Sequence, residues 1–223
     1  MAANNFVHKR TAKGVKSLQR QRASKQPYYK VLVVCEGEKT EPYYFSELRD
    51  QYRLNSATVE VVGCRLDPYR IFTVAKRRYR DEKERGDPFD KVYCVFDKDN
   101  HTSYHNALHA IQNAKPKDIF EAIHSIPCFE YWLLLHYVYT TKPYTSLPGK
   151  SACQQVENDL KKYMPSYSKG ARGLFSQLER KINVASDRAG QSLLAANNAG
   201  TDNPTTRIHN LVEHLRHITN TPI

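Results

Sequence analysis

The chain of 223 residues is long enough for one sizeable domain with an extension and too short for several. With 40% hydrophobic and 26% charged residues it has an ordinary globular composition, which excludes wholesale disorder and a collagen-like fibre. Lys and Arg number 34 against 23 acids, a formal charge of +11, so a polyanion is the first partner class to consider.

No apolar run approaches the roughly 18 to 20 residues that a bilayer span needs, and no apolar h-region opens the chain. A cytoplasmic protein without a membrane partner is therefore expected. Five cysteines without a C-x-x-C pair argue against a zinc ribbon or a disulfide framework, and Cys35 and Cys94 read as small core residues.

Residues 1–28 form a basic arm. Lys9, Arg10, Lys13, Lys16, Arg20, Arg22 and Lys25 precede the first acid, Glu36, in a stretch without a hydrophobic repeat. A disordered segment that meets phosphates is expected there, with a merely solubilising terminus as the alternative. The unbroken apolar run at 30–35 predicts a strand buried on both faces. Thr40 is the expected N-cap of the next helix, with Pro42 in its first turn and Tyr44, Phe45 and Leu48 at helical spacing. A second strand is expected at 57–62. Asp67-Pro68 then opens a helix with an Ile71, Val74 and Ala75 stripe and a charged outer face, and Gly86-Asp87-Pro88 ends it.

A third buried strand at 91–96 runs into Asp97-Lys98-Asp99. A helix at 103–113 and a fourth strand at 119–126 follow, and a strongly apolar helix occupies 128–138. Residues 139–170 read as a loop around one short helix, and helices at 171–188 and 205–218 finish the chain. The expected organisation is an arm (1–28), a core (29–140) and a helical C-terminal extension packed on that core (141–223). Strands alternating with helices predict an α/β fold with a parallel sheet of about four strands flanked by helices. Ligands of such sheets sit beyond the carboxyl ends of the strands. That rule selects Glu36-Gly37 and Asp97-Lys98-Asp99.

Carboxylates brought to one rim repel each other unless a cation compensates them, and hard oxygen donors suit Mg2+ or Mn2+. Asp97 and Asp99 share a side if the strand direction continues through them. The alternatives are a strand-end acid capping a helix for Glu36 and an Asx turn for Asp97 and Asp99. Glu130, on a helix otherwise apolar, is costly unless paired or metal-bound; it reads as a rim acid or as an ion-pair partner of Arg or Lys. His101, His105 and His109 fall at i, i+4 and i+8, a spacing that could hold zinc, but an exposed face or His101 alone near the metals is the preferred reading.

These residues carry a resemblance. An E-G after the first strand with D-x-D after the third is similar to the Toprim fold of topoisomerases, primases, recombination mediators and OLD-type nucleases. Residues 34–45 (VCEGEKTEPYYF), 95–101 (VFDKDNH) and 126–136 (IPCFEYWLLLH) resemble the RloB family of small prokaryotic, defence-associated proteins, as does Asn203-Pro204-Thr205-Thr206 followed by Leu211-Val212. The resemblance covers roughly residues 28 to 220. Many Toprim proteins carry an acid four residues after the first glutamate; Thr40 stands there and Glu41 follows, so Glu41 is left out of the expected ligand set.

The resemblance implies a Toprim-like core and Mg2+-dependent (or Mn2+-dependent) hydrolysis of phosphodiester bonds in RNA, tRNA or DNA, in anti-phage defence. Glu36, Asp97 and Asp99 are the expected metal ligands, with Glu36 or Glu130 as base. Lys39, Lys98 and His101 join the arm as expected nucleic-acid contacts. Nucleic acid is the expected partner, together with an ATPase encoded nearby; assembly with further copies of the chain is left open. The competing class is a non-catalytic Toprim module that binds nucleic acid or a nucleotide for a partner protein. A phosphate-accepting receiver domain fits less well, because it needs paired acids after the first strand and a lysine after the last.

Overall fold

Alternating strands and helices between residues 31 and 126, with a short later edge strand, build the sheet that positions the site. The computed structural model describes residues 29–54, 59–99 and 101–218; the expected basic arm, with Lys9, Arg10, Lys13, Lys16, Arg20, Arg22 and Lys25, lies outside them. Strand β1 (Val31–Cys35) is buried along its whole length. It pairs in parallel with β2 (Val59–Gly63) on one side and β3 (Lys91–Asp97) on the other. Strand β4 (Phe120–Ile126) adds in parallel to β3, and β5 (Thr205–Thr206) adds antiparallel to β4. The order is β2-β1-β3-β4-β5, so four parallel strands, as expected, carry a fifth, short antiparallel edge.

Side-chain alternation along β1 divides the interior into two layers. Val31, Val33 and Cys35 face helix α1 (Thr40–Gln51), where they meet Tyr44, Phe45 and Leu48. Leu32 and Val34 face helices α2 (Pro68–Glu84) and α3 (Tyr104–Gln112), packing with Ile71, Phe72, Ala75, Ala107 and Ile111. The connection from β1 therefore covers one face, while those from β2 and β3 cover the other. Strand order reverses between β1 and β3, and a crevice opens there at the carboxyl ends of the strands.

The rest of the chain thickens the α1 layer. Helices α4 (Glu130–Leu135), α5 (Ala152–Lys161), α6 (Leu174–Leu178), α7 (Ile182–Asn198) and α8 (Ile208–His217) contribute to the same apolar cluster as α1, with a single 3-10 turn at Glu179–Lys181 before α7. Trp132 in α4 donates its indole N–H to the Tyr44 hydroxyl at 2.9 Å, which satisfies a buried donor whose loss would cost about 1 to 3 kcal/mol. Glu47 of α1 accepts from the backbone N–H groups of Gly173 and Phe175 at the start of α6.

Several boundaries differ from expectation. A helix at 171–188 is replaced by short α6 and the later α7, because Gly173, at φ +79°, starts α6 and a 3-10 turn interrupts the path. The last helix starts at Ile208, since Thr205 and Thr206 are taken by the sheet edge. Lys39 stands at the N-cap of α1 in place of Thr40, whose hydroxyl instead accepts from Gly170 N–H at 2.9 Å. Among the described residues no helix is long and apolar enough to cross a membrane.

Candidate functional site

Backbone pairing holds Glu36 at the reversal point. Its N–H donates to Val95 O at 2.9 Å and its carbonyl accepts from Arg65 N–H at 2.7 Å, so the residue is fixed by β3 on one side and by the segment just after β2 on the other. Its side chain bridges further: Oε2 accepts from Asp97 N–H at 3.0 Å, and Oε1 lies 2.6 Å from His101 Nε2. Asp97, the last residue of β3, shares the sheet face of Tyr93 and Val95 and so looks toward α1 and α4.

Beyond these two residues lies a cavity of about 490 Å3. Three further acids border it: exposed Glu38, and two that are enclosed, Glu41 from the first turn of α1 and Glu130 from the first turn of α4, exposed by only 8% and 3%. Gly37 leaves room for the Glu41 carboxylate. A Cβ on it would stand 2.1 Å from Glu41 Oε2. Lys39, Arg65 and Lys169 bring cations to the same cavity. Lys169 Nζ lies 3.3 Å from Glu130 Oε1, and the Tyr167 hydroxyl donates to that oxygen at 2.9 Å.

Burial and mutual repulsion make these carboxylates reluctant to ionise together. Burial pushes Glu41 up to about 7, assisted by the charges of Glu130 and Glu36 and opposed by Lys169. Asp97 is held well above the usual carboxylate range by burial and then by Glu41, Glu130 and Glu36. Glu36 is raised by burial, against the pull of the Asp97 N–H and His101. Clusters of this kind concentrate at sites that bind cations or move protons.

A family model for RloB-like proteins matches residues 31–215. The chain belongs to the RloB-like protein family. No curated protein and no solved structure matches it. Three of the four motif-bearing stretches, around Glu36, Asp97 and Glu130, meet at this one cavity in the RloB-like chain.

Other expected site residues fall elsewhere. Asp99 does not continue the line of Asp97: β3 ends at Asp97, the chain turns with Asp99 at φ +26°, and its N–H donates to Pro127 O. Exposed Asp99 borders a separate cavity of about 240 Å3 with Lys98 and Asp202, close enough only to add the smallest of the influences that raise Glu36. Lys98 forms an ion pair with Asp202. His101 precedes α3, so it does not share a helix face with His105 and His109, and its ring orients Glu36. Both readings of Glu130 hold at once, since it lines the cavity and pairs with a lysine.

Sequence reasoning missed Glu41, Arg65, Tyr167 and Lys169. Only Glu41 carried a local signal, as an acid beside a Pro-Tyr-Tyr-Phe stretch that must be buried.

A hard divalent cation matches the donor type of Glu36, Glu41 and Asp97. Among the described residues no three Asp, Glu, His or Cys side chains converge on a common ligand point. Mg2+ does not require such a cage, because it ordinarily keeps several waters and takes one or two carboxylates together with substrate phosphate.

Proposed function

We propose that this RloB-like protein is a Mg2+-dependent or Mn2+-dependent nuclease with a Toprim-like core, hydrolysing phosphodiester bonds in RNA, tRNA or DNA as part of anti-phage defence. One observation carries the reading: five carboxylates, Glu36, Glu38, Glu41, Asp97 and Glu130, line a single cavity that Lys39, Arg65 and Lys169 also border. An acidic floor suits a divalent ion, and the cations suit a phosphate backbone.

One or two of Glu36, Glu41 and Asp97 would hold the ion, together with substrate phosphate, and when bound it would supply Lewis-acid activation of the phosphoryl group. Lys39 and Arg65 would receive substrate phosphate oxygens at the cavity border. His101 keeps the Glu36 carboxylate aimed at the reversal point, where it can take the proton of an attacking water. Tyr167 and Lys169 both engage the Glu130 carboxylate, so its role is to hold Lys169 at the border of the cavity. In the proposed setting, an ATPase encoded nearby would control when substrate reaches the cavity.

A second reading has its own observation. Glu36 and Glu130 already have protein partners, as they would in a module that binds nucleic acid or a nucleotide without cutting it. Incubation of the purified protein with total RNA and with plasmid DNA, in Mg2+, Mn2+ or EDTA, separates the two. The nuclease reading expects metal-dependent cleavage that Asp97→Asn abolishes. Tight binding without cleavage under every metal condition establishes the binding module instead.

A further inference from the structure

Helix α2 carries a separate feature on the sheet face opposite α1. Lys76, Arg77, Arg80 and Lys83 on its outer side, with Lys115 from the turn after α3, border a shallow cavity of about 510 Å3. All five are exposed. The same helix pairs its other cations with acids: Arg70 meets Asp67 at 3.3 Å, Arg78 meets Glu60 at 2.5 Å and Arg85 meets Glu82 at 2.5 Å. Within the patch the pattern breaks. Arg80 reaches Asp81 and Glu84 only at 3.9 Å, and among the described residues Lys76, Arg77, Lys83 and Lys115 make no ion pair. Like charges three and four residues apart weaken a helix, so this spacing opposes folding.

The geometry points to an accessory site on this patch for the phosphodiester backbone of a nucleic acid, distinct from the carboxylate cavity and indifferent to base sequence. Lys76 and Lys83 are seven residues apart, about 10 Å along the helix axis, a length over which a duplex lying alongside presents about three phosphates per strand, one for each 3.4 Å of its own axis. Tyr79 also borders the cavity, but its ring is committed to Phe120 at 5.3 Å and is only 9% exposed, so no aromatic ring lining the cavity is free to stack a base. Phosphate contacts alone position a polymer without reading it. An anionic membrane is the weaker fit. Lipid-surface helices offer protruding apolar side chains beside their cations, whereas exposed large apolar residues such as Leu147 and Leu194 lie outside this patch.

The inference rests on the nucleic-acid part of the proposed function and not on cleavage, so its test is run in EDTA with the full chain. Anisotropy would follow a 30-base-pair duplex and a 30-nucleotide RNA, each in two unrelated sequences, between 50 and 200 mM salt. Lys76→Gln, Arg80→Gln and Lys115→Gln together should flatten the log–log salt slope by about 2 to 3, at 0.7 to 0.9 per lost phosphate contact. Affinity should fall by at least about 10-fold for every sequence, with the melting temperature holding or rising slightly as the like-charge repulsion is relieved. A control triple at exposed positions elsewhere, Lys150→Gln, Lys161→Gln and Arg180→Gln, removes equal charge and should move the slope by less than about 1. Equal weakening by both triples would reduce the patch to net charge and overturn the site. So would no weakening by the patch triple, no nucleic-acid binding by the wild type, or loss of phosphatidylserine-vesicle binding in the patch triple with duplex binding intact. A protein that binds through the patch yet never cleaves leaves this inference standing while the nuclease reading fails.

Discussion

Glu41→Gln is the perturbation that reports most directly on the crowded carboxylates. In the metal-free protein Glu41 binds its proton up to about pH 7, against an ordinary value of 4.5. Between those values the folded state therefore holds one proton more than the unfolded state, and stability must fall as pH rises, by about 1.4 kcal/mol per unit. The loss accumulates to about 3 kcal/mol by pH 7 and then levels off. Gln keeps the shape, carries no charge at any pH, and removes one repulsion on Asp97. Urea unfolding in EDTA at pH 5, 6, 7 and 8 should show the wild type losing stability across this window. The variant should be flatter and should exceed the wild type at pH 8 by up to about 3 kcal/mol. Added Mg2+ should stabilise the wild type more than the variant, since a cation relieves the same repulsion that the substitution removes. Parallel pH profiles, or a variant less stable than the wild type at pH 8, would refute the argument that these acids oppose one another.

Two comparisons test the layout of the site. Asp97→Asn should lower cleavage and calorimetric Mn2+ affinity together by at least about 100-fold, as loss of one well-placed electrostatic group does, whereas Asp99→Asn should stay within about 3-fold because Asp99 borders another cavity; equal losses in assays of both variants would restore Asp99 to the metal site. Gly37→Ala should drive Glu41 out of the cavity, since its new Cβ would meet that carboxylate at 2.1 Å; the melting-temperature gain on adding Mg2+ should shrink while the metal-free melting temperature holds or rises.

The parts of the site legible in the sequence are those written next to uninterrupted apolar runs. A run such as Val31–Cys35 can only be an interior strand, so the acids after it, and after β3, must emerge at a sheet edge. Asp99 was misplaced because period-two alternation was carried past the point where pairing stops. The β3–β4 register ends at Asp97 opposite Ser125, and from there hydrogen bonds to Ser125 and Pro127 steer the chain away. Helix α7 was poorly bounded for a different reason. Its buried stripe is Ile182, Ala185, Ala189, Ser192 and Ala196, and small side chains leave only a faint hydrophobic period. Two-residue β5 is too short to show any period at all.

Glu41 and Lys169 illustrate a deeper limit. An acid in the first turn of a helix is ordinary, being favoured there by the helix dipole, and the Pro-Tyr-Tyr-Phe stretch beside Glu41 signals burial of its neighbours without showing that Glu41 will be enclosed among other acids. Its enclosure comes from Glu130, Lys169 and Gly170, which reach the cavity from about 90 and about 130 residues away. The same separation hid the cation. Lys169 lies in a polar stretch that reads as loop, and its role exists only because Gly170 N–H binds Thr40 and Tyr167 binds Glu130. Acids of this site are thus encoded beside the strands and helices that carry them, while Lys169 arrives by tertiary contact. A reading from sequence alone accordingly sees an overcharged rim and infers a metal, but it cannot see that a lysine already offsets part of the charge. The balance between that lysine and a divalent ion is therefore where cutting and mere binding part, and Lys169→Ala separates them. By leaving Glu130 without its cation, it should raise the cavity's demand for Mg2+ if the cavity is a metal site, and should weaken nucleic-acid binding alone if it is not.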